Sequence, residues 1–199
     1  MVHAYQDHYF HRAKKENYLA RAVYKLEEIQ KKHKLLRPGD RVLDLGAAPG
    51  SWLQFTSGVV GPAGRVVGVD IKKIEHVFPR HVVVLQRDIF EQDFIEEMKN
   101  SHGPFDAVLS DMAPSTSGIR SADSARSALL FEQAFNLALE TLKPQGHFLA
   151  KIFQGSDFHT LLQEVKKKFE WVKVVKPDAS RKTSKEIYIC AMRMRLKKL

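Results

Sequence analysis

Residues 42–52 read Val-Leu-Asp-Leu-Gly-Ala-Ala-Pro-Gly-Ser-Trp, an apolar strand that runs into a turn of small residues and then into a helix. Small side chains at Gly46, Ala47, Gly50 and Ser51 let a ligand approach the backbone closely. The crevice beyond the carboxyl ends of parallel strands is where open α/β sheets take their ligands. This is not the dinucleotide turn, whose middle glycine admits a pyrophosphate to the helix N-terminus; here Ala48 and Pro49 crowd that path, and Trp52 follows. Asp70 closes the next apolar run and Asp88 follows the one after it. A carboxylate at the first position, with Ile71 beside it, can accept hydrogen bonds from ribose hydroxyls. One at the second can accept from an adenine amino group, with Ile89 against the ring. Each acid alone is ordinarily a loop or capping residue, but acids at successive strand ends beside a small-residue turn suit a nucleoside.

The elements that must position these groups alternate along the chain. Leu19, Val23, Leu26 and Ile29 are spaced by three or four, which predicts an amphipathic helix over Glu16–Leu36, ended by Pro38 and Gly39. Strands are expected at Arg41–Leu45, Arg65–Asp70, His81–Gln86, Phe105–Ser110 and Gly146–Phe153, and helices at Ser51–Val60, Phe90–Ser101, Ser124–Leu142 and Ser156–Phe169. Near-continuous apolar strands such as Val82-Val83-Val84-Leu85 are those of a sheet covered on both faces. The last two strands, Trp171–Val175 and Ile187–Met194, are joined by a polar loop without a helix, which suits an antiparallel pair at the sheet edge. The expected fold class is α/β and Rossmann-like: a mainly parallel seven-stranded sheet with helices on both faces and an antiparallel last strand.

A chain of 199 residues, 44% hydrophobic, is expected to form one domain over 1–199. One cysteine, Cys190, excludes an internal disulfide framework and a multi-cysteine zinc site, and no metal signature is present. No apolar run reaches the ~18 residues needed to span a bilayer, so the chain reads as soluble and cytoplasmic. The net charge of +9 is unevenly placed: residues 1–41 carry +5, residues 42–163 carry −4 and residues 164–199 carry +8. Basic ends around a mildly acidic middle suit a catalytic core flanked by phosphate-binding surface, with the first 40 residues contributing. Solvated helix faces explain part of the same charge, the run Lys166-Lys167-Lys168 at a helix C-terminus included.

The run from Asp44 to Trp52 resembles the cofactor loop of S-adenosylmethionine methyltransferases, specifically the FtsJ-like (RrmJ-type) ribose 2′-O-methyltransferases that act on large-subunit ribosomal RNA. Four further contexts carry the resemblance from about Asp7 to Met192: Lys25 in Tyr18–Leu26, Asp111 in Ser110–Pro114, Lys151 in Ala150–Phe153 and Glu186 in Ser184–Tyr188. These match the Lys-Asp-Lys-Glu tetrad of that family in order and context; Ala22, where relatives often carry serine, is the one departure. The resemblance implies that Gly46, Ala47, Pro49, Gly50, Ser51, Trp52, Asp70, Ile71, Asp88, Ile89 and Asp111 contact S-adenosylmethionine. It also implies that Lys151 accepts the proton of a ribose 2′-hydroxyl as its oxygen attacks the methyl group. Asp111 would orient Lys151, while Lys25 and Glu186 would position the ribose. Burial and Lys25 would lower the Lys151 pKa and the two acids would raise it, so the group balances opposing terms.

Taken singly, Lys151 could hold its ammonium in water at a strand end, Asp111 could cap a turn and Glu186 could be an edge-strand charge. Those readings do not explain the set. Amino-group methylases commonly carry Asp-Pro-Pro-Tyr where this chain has Asp111-Met112-Ala113-Pro114, and pyrimidine carbon-5 methylation needs a cysteine nucleophile, whereas Cys190 lies in an apolar strand. The expected partner is RNA, with no membrane and a monomeric enzyme; the substrate is a uridine of large-subunit (23S-type) ribosomal RNA, the short chain suiting that branch better than transfer RNA anticodon loops. Arg12, Lys14, Lys15, Arg21, Arg181, Lys182 and Lys185 are the expected phosphate contacts. Tyr5, Tyr9 and Phe10 could stack on bases or staple the first helix. A noncatalytic RNA-binding assembly factor is the alternative of a different class, and the intact tetrad argues against it.

Overall fold

The computed structural model describes residues 2–181 and 184–196. Its strands are β1 (Arg41–Leu45), β2 (Arg65–Asp70), β3 (Val82–Gln86), β4 (Phe105–Ser110), β5 (Leu142–Phe153), β6 (Phe169–Val175) and β7 (Glu186–Met194). They form one seven-stranded sheet in the order β3-β2-β1-β4-β5-β7-β6. The pairs from β3 through β5 are parallel, whereas β7 runs antiparallel to both β5 and β6. Strand order reverses between β1 and β4, and a ligand crevice forms at such a switch point.

The helices are α1 (Val2–Lys15), α2 (Val23–His33), α3 (Ser51–Val60), α4 (Phe94–Glu97, continued by a π-helical turn over Met98–His102), α5 (Arg120–Thr141) and α6 (Phe158–Lys168). Each face of the sheet has its own core. On one side Leu26 and Ile29 of α2 and Trp52 and Leu53 of α3 cover Val42, Val66 and Leu109. On the other, Phe131, Phe135 and Leu137 of α5 and Val165 of α6 cover Val108, Phe148 and Ile189. This two-sided covering is why the strands are apolar at successive positions rather than at alternate ones.

Several boundaries depart from the sequence expectation. The helix expected over Glu16–Leu36 begins only at Val23, because α1 precedes it and Asn17, at φ 59°, turns the chain out of helical geometry. It ends at Lys34, at φ 55°, before Pro38 is reached. The helix expected from Phe90 starts at Phe94: Arg87 gathers Glu91, Asp93 and Glu97 around its guanidinium, and the chain between them folds as turns. Strand β5 starts at Leu142 rather than Gly146, since α5 passes directly into it with a register shift opposite Phe105 and Ala107.

Phe148 of β5 is fully buried and lies within 6.3 Å, centroid to centroid, of Phe131, Phe135 and Phe169, thereby joining α5, β5 and β6. Phe148→Ala is expected to lower the unfolding free energy by about 3–5 kcal/mol, measured by urea denaturation, because rigid neighbours cannot close the cavity it leaves.

Candidate active site

The small-residue turn leaves β1 at the switch point and enters α3. Gly46, at φ +74°, could not carry a side chain: a Cβ there would come within 2.6 Å of Met112. Gly50, at φ +114°, is closed in the same way by Phe78 and Leu19. The turn is held from the next strand, since Asp70 accepts hydrogen bonds from the Ala48 amide at 2.9 Å and the Lys72 amide at 2.8 Å. Asp70 is thus a structural latch whatever else it contacts. Asp88 is exposed and accepts from the Phe90 amide at 3.0 Å, and Ile71 is exposed at the same edge, whereas Ile89 is buried. Ala47 and Ser51 are buried and Pro49 is exposed. Trp52 is buried as well, its indole N–H donating to the Ala22 carbonyl at 2.9 Å, which ties the turn to the start of α2.

Asp44, on β1, opens the small-residue run and was given no role of its own by sequence reasoning. Its carboxylate is wholly buried, and neither oxygen has a hydrogen-bond partner among the described residues. Burial first, and then the negative charges of Asp111 and Asp70, push its pKa well above the ordinary carboxylate range. Three carboxylates therefore gather at the ends of β1, β2 and β4.

Lys25, Asp111, Lys151 and Glu186 come together at the same end of the sheet as two ion pairs. The Lys151 ammonium lies 3.0 Å from Asp111 Oδ1 and donates to the Asp111 carbonyl. The Lys25 ammonium lies 2.7 Å from Glu186 Oε1. Tyr188 joins the pairs: it is in register with Lys151, its hydroxyl donates to Asp111 Oδ1 at 2.5 Å, and its ring lies 5.9 Å from the Lys25 ammonium. Burial pushes the Asp111 pKa up, but Lys151, Lys25 and the Tyr188 hydroxyl more than offset it and hold the carboxyl below its ordinary value. Burial, with Asp111 and Glu186 nearby, raises the Tyr188 pKa well above its ordinary value and keeps the phenol a donor. A tyrosine in an apolar strand reads as core, which is why the sequence gives it no signal.

The expected phosphate contacts divide. Arg12 is engaged by Glu16 and Glu27 and lies over the Tyr24 ring, and Arg21 donates to the Ala179 carbonyl at 2.9 Å. Lys14, Lys15 and Arg181 are exposed and Lys185 is half-buried, while Lys182 lies outside the described residues. A larger open cleft of about 910 Å³, lined in part by Leu139, Lys167, Met194 and Leu196, contains none of the tetrad.

The family model for FtsJ-like methyltransferases matches residues 18–194. The chain belongs to that family. Among similar proteins, the ribosomal RNA large subunit methyltransferase E of Syntrophobacter fumaroxidans is 66% identical over 98% of this chain and 99% of its own length. The protein of the same name from Desulfosudis oleivorans is 52% identical over 92% of this chain and 88% of its own. A crystal structure from Plasmodium falciparum assigned as a ribosomal RNA methyltransferase shares the fold, with a TM-score of 0.76 at 24% identity over 89% of this chain and 98% of that one. So does a fibrillarin/Nop5p complex, with a TM-score of 0.61 at 21% identity over 83% and 78%.

As an FtsJ-like methyltransferase the chain takes S-adenosylmethionine as its methyl donor. The crevice fits that molecule in two ways. Gly46 and Gly50 leave the backbone bare where a side chain would not fit, and the unpartnered Asp44 with its acidic neighbours suits a ligand that brings a sulfonium and an amino cation.

An acid whose pKa is higher in the folded than in the unfolded protein costs stability progressively as pH rises through the unfolded value, about 4. Asp44→Asn is therefore expected to raise the melting temperature of the cofactor-free protein above pH 4, by a margin that widens with pH toward the raised folded value. Melting curves from pH 4 to 8 measure this, and a constant difference would remove the assignment. Tyr188→Phe withdraws one donor from buried Asp111; methyl transfer and the melting temperature are both expected to fall, checked by kcat beside thermal unfolding.

Proposed function

We propose that this chain methylates a ribose 2′-hydroxyl of large-subunit ribosomal RNA, at a uridine of 23S type, with Lys151 accepting the proton. The observation that carries the reading is the buried Lys151–Asp111–Tyr188 group beside the Lys25–Glu186 pair. The names of its close relatives supply the RNA class.

S-adenosylmethionine, when bound, supplies an electrophilic methyl group on a sulfonium sulfur. Gly46, Ala47, Pro49, Gly50 and Ser51 would form its seat, Asp70, Ile71, Asp88 and Ile89 its nucleoside side, and Asp111 the side facing the acceptor. Buried Trp52 holds the turn in place. With that donor bound, the ribose 2′-oxygen would take the methyl group and its proton would pass to Lys151 Nζ, which already faces Asp111. The resulting ammonium is held by Asp111, whose carboxylate stays ionised because cations surround it. Lys25 and Glu186 neutralise one another and together offer a donor and an acceptor to the ribose. Near-complete burial of the Lys151 side chain, 5% exposed, keeps bulk water from competing for the proton.

We further read residues 1–199 as one methyltransferase domain, acting on ribosomal RNA as a cytoplasmic monomer. None of its described helices is long and apolar enough to cross a membrane.

Transfer of tritiated methyl from S-adenosylmethionine into large-subunit RNA, followed by mass spectrometry of the digested nucleosides, tests the reaction. The expected product is a 2′-O-methylated nucleoside, and a base-methylated one would overturn the reading. Lys151→Ala is expected to lower kcat by about 10²–10⁴ while cofactor affinity is retained. Undiminished transfer by that variant would refute the base assignment.

A further inference from the structure

Beside Glu186 the chain forms an open cleft of about 190 Å³ lined by Thr116, Arg120, Asp123, Ser124, Phe153, Ser184 and Lys185. It adjoins the tetrad directly: Phe153 is in register with Glu186, and the Glu186 amide donates to the Ser184 hydroxyl at 3.2 Å. Its walls are fixed. Asp123 accepts from the Ser117 amide at 2.8 Å, the Ser117 hydroxyl at 2.9 Å and the Gly118 amide at 3.2 Å, so the loop before α5 is pinned to that helix. Gly155 lies so close to α5 that a Cβ there would come within 2.5 Å of the Ser124 side chain. The Gln154 amide donates to the Lys185 carbonyl at 3.1 Å and joins the end of β5 to the segment before β7.

The charge lining the cleft is uncompensated among the described residues. Neither the Arg120 guanidinium nor the Lys185 ammonium has a hydrogen-bond or ion-pair partner among the described residues, while the one carboxylate at the wall, Asp123, is occupied by the loop. Arg120 is the first residue of α5, and a cation at a helix N-terminus opposes the dipole. Helix stability therefore gives no reason for an arginine at that position. The Ser184 oxygen accepts from an amide and its hydrogen remains available to a ligand. Two cations with hydroxyls in a preformed cleft of this size suit one phosphate diester. The anion nearest to any ribose 2′-hydroxyl is the diester on the adjoining 3′-oxygen.

We propose that this cleft seats the phosphodiester flanking the methylated ribose, with Arg120 and Lys185 as its cations and Ser184 as a hydrogen-bond donor. The proposal rests on the RNA reading above and adds Arg120 as a substrate-binding residue.

The test compares wild type with the double variant Arg120→Gln/Lys185→Gln and with Arg126→Gln, a cation on the same helix whose guanidinium donates to the Ser115 carbonyl. Large-subunit RNA is the probe, in methyl-transfer kinetics and in filter binding across a salt series. The double variant is expected to raise KM for RNA about tenfold, the size of one lost charge-assisted contact. The slope of log affinity against log salt should become shallower by about 0.7 per lost phosphate contact. Cofactor affinity and kcat at saturating RNA are expected to hold, and Arg126→Gln to behave as wild type. Arg120→Gln alone is expected to keep or raise the melting temperature. Unchanged KM and salt slope in the double variant, or an equal effect from Arg126→Gln, would overturn the proposal. Absence of methyl transfer by the wild type would count against the enzymatic reading, and the filter-binding arm would still decide the cleft.

Discussion

The contact between Lys151 and Asp111 sets the terms for everything around it. A charged pair taken out of water repays its desolvation only when geometry is good and the remaining polar atoms are satisfied. Those conditions draw in three strands: Asp111 directly follows β4, β5 supplies Lys151, and β7 supplies Tyr188, whose hydroxyl completes the carboxylate. Because Tyr188 stands opposite Lys151 in an antiparallel register, a slip of one residue would turn the phenol to the opposite face and leave the pair short of a donor. The orientation of β7 is thus a requirement of the charge chemistry as much as of the sheet.

Charge is sorted around that centre. Asp44, Asp70 and Asp111 concentrate negative charge where the cationic donor molecule belongs, and Asp44 stands without a compensating partner among the described residues. Arg120 and Lys185, without ion-pair partners among the described residues, line the cleft beside Glu186, where a polyanion would approach. Lys25 and Glu186 occupy the boundary and cancel one another. A transfer from a sulfonium to an RNA hydroxyl needs this separation, since each reactant would be repelled from the other's side.

The alternation of strands and helices was legible because both faces of the central sheet are buried, which leaves unbroken apolar runs such as Val66–Val69. The small-residue turn was legible because Gly46 and Gly50 occupy places where no side chain fits. Helix ends were less so: Asn17 and Lys34 set the limits of α1 and α2 through left-handed backbone that composition does not announce, and Arg87 shortened α4 by gathering acids across turns. Within the site, Lys25, Asp111, Lys151 and Glu186 were found through a family resemblance, since their spacing along the chain carries no period. Tyr188 and Arg120 gave no signal, because a tyrosine among aliphatics and an arginine on a helix become informative only once their partners, or lack of partners, are visible; Asp44 was legible only as the head of the small-residue run.

The final strand has a consequence for biosynthesis. β7 follows every other described strand in sequence yet lies between β5 and β6, so a nascent polypeptide can pair β1 to β5 while β5 keeps an open edge and β6 has no strand to join. Until β7 emerges, neither Glu186 nor Tyr188 is in place, and β5 exposes a row of unpaired amides and carbonyls beside Lys151. A chain broken off short of residue 186 would be both inert and prone to strand-to-strand association. Activity and protection from aggregation are therefore acquired together, when β7 adds to the sheet.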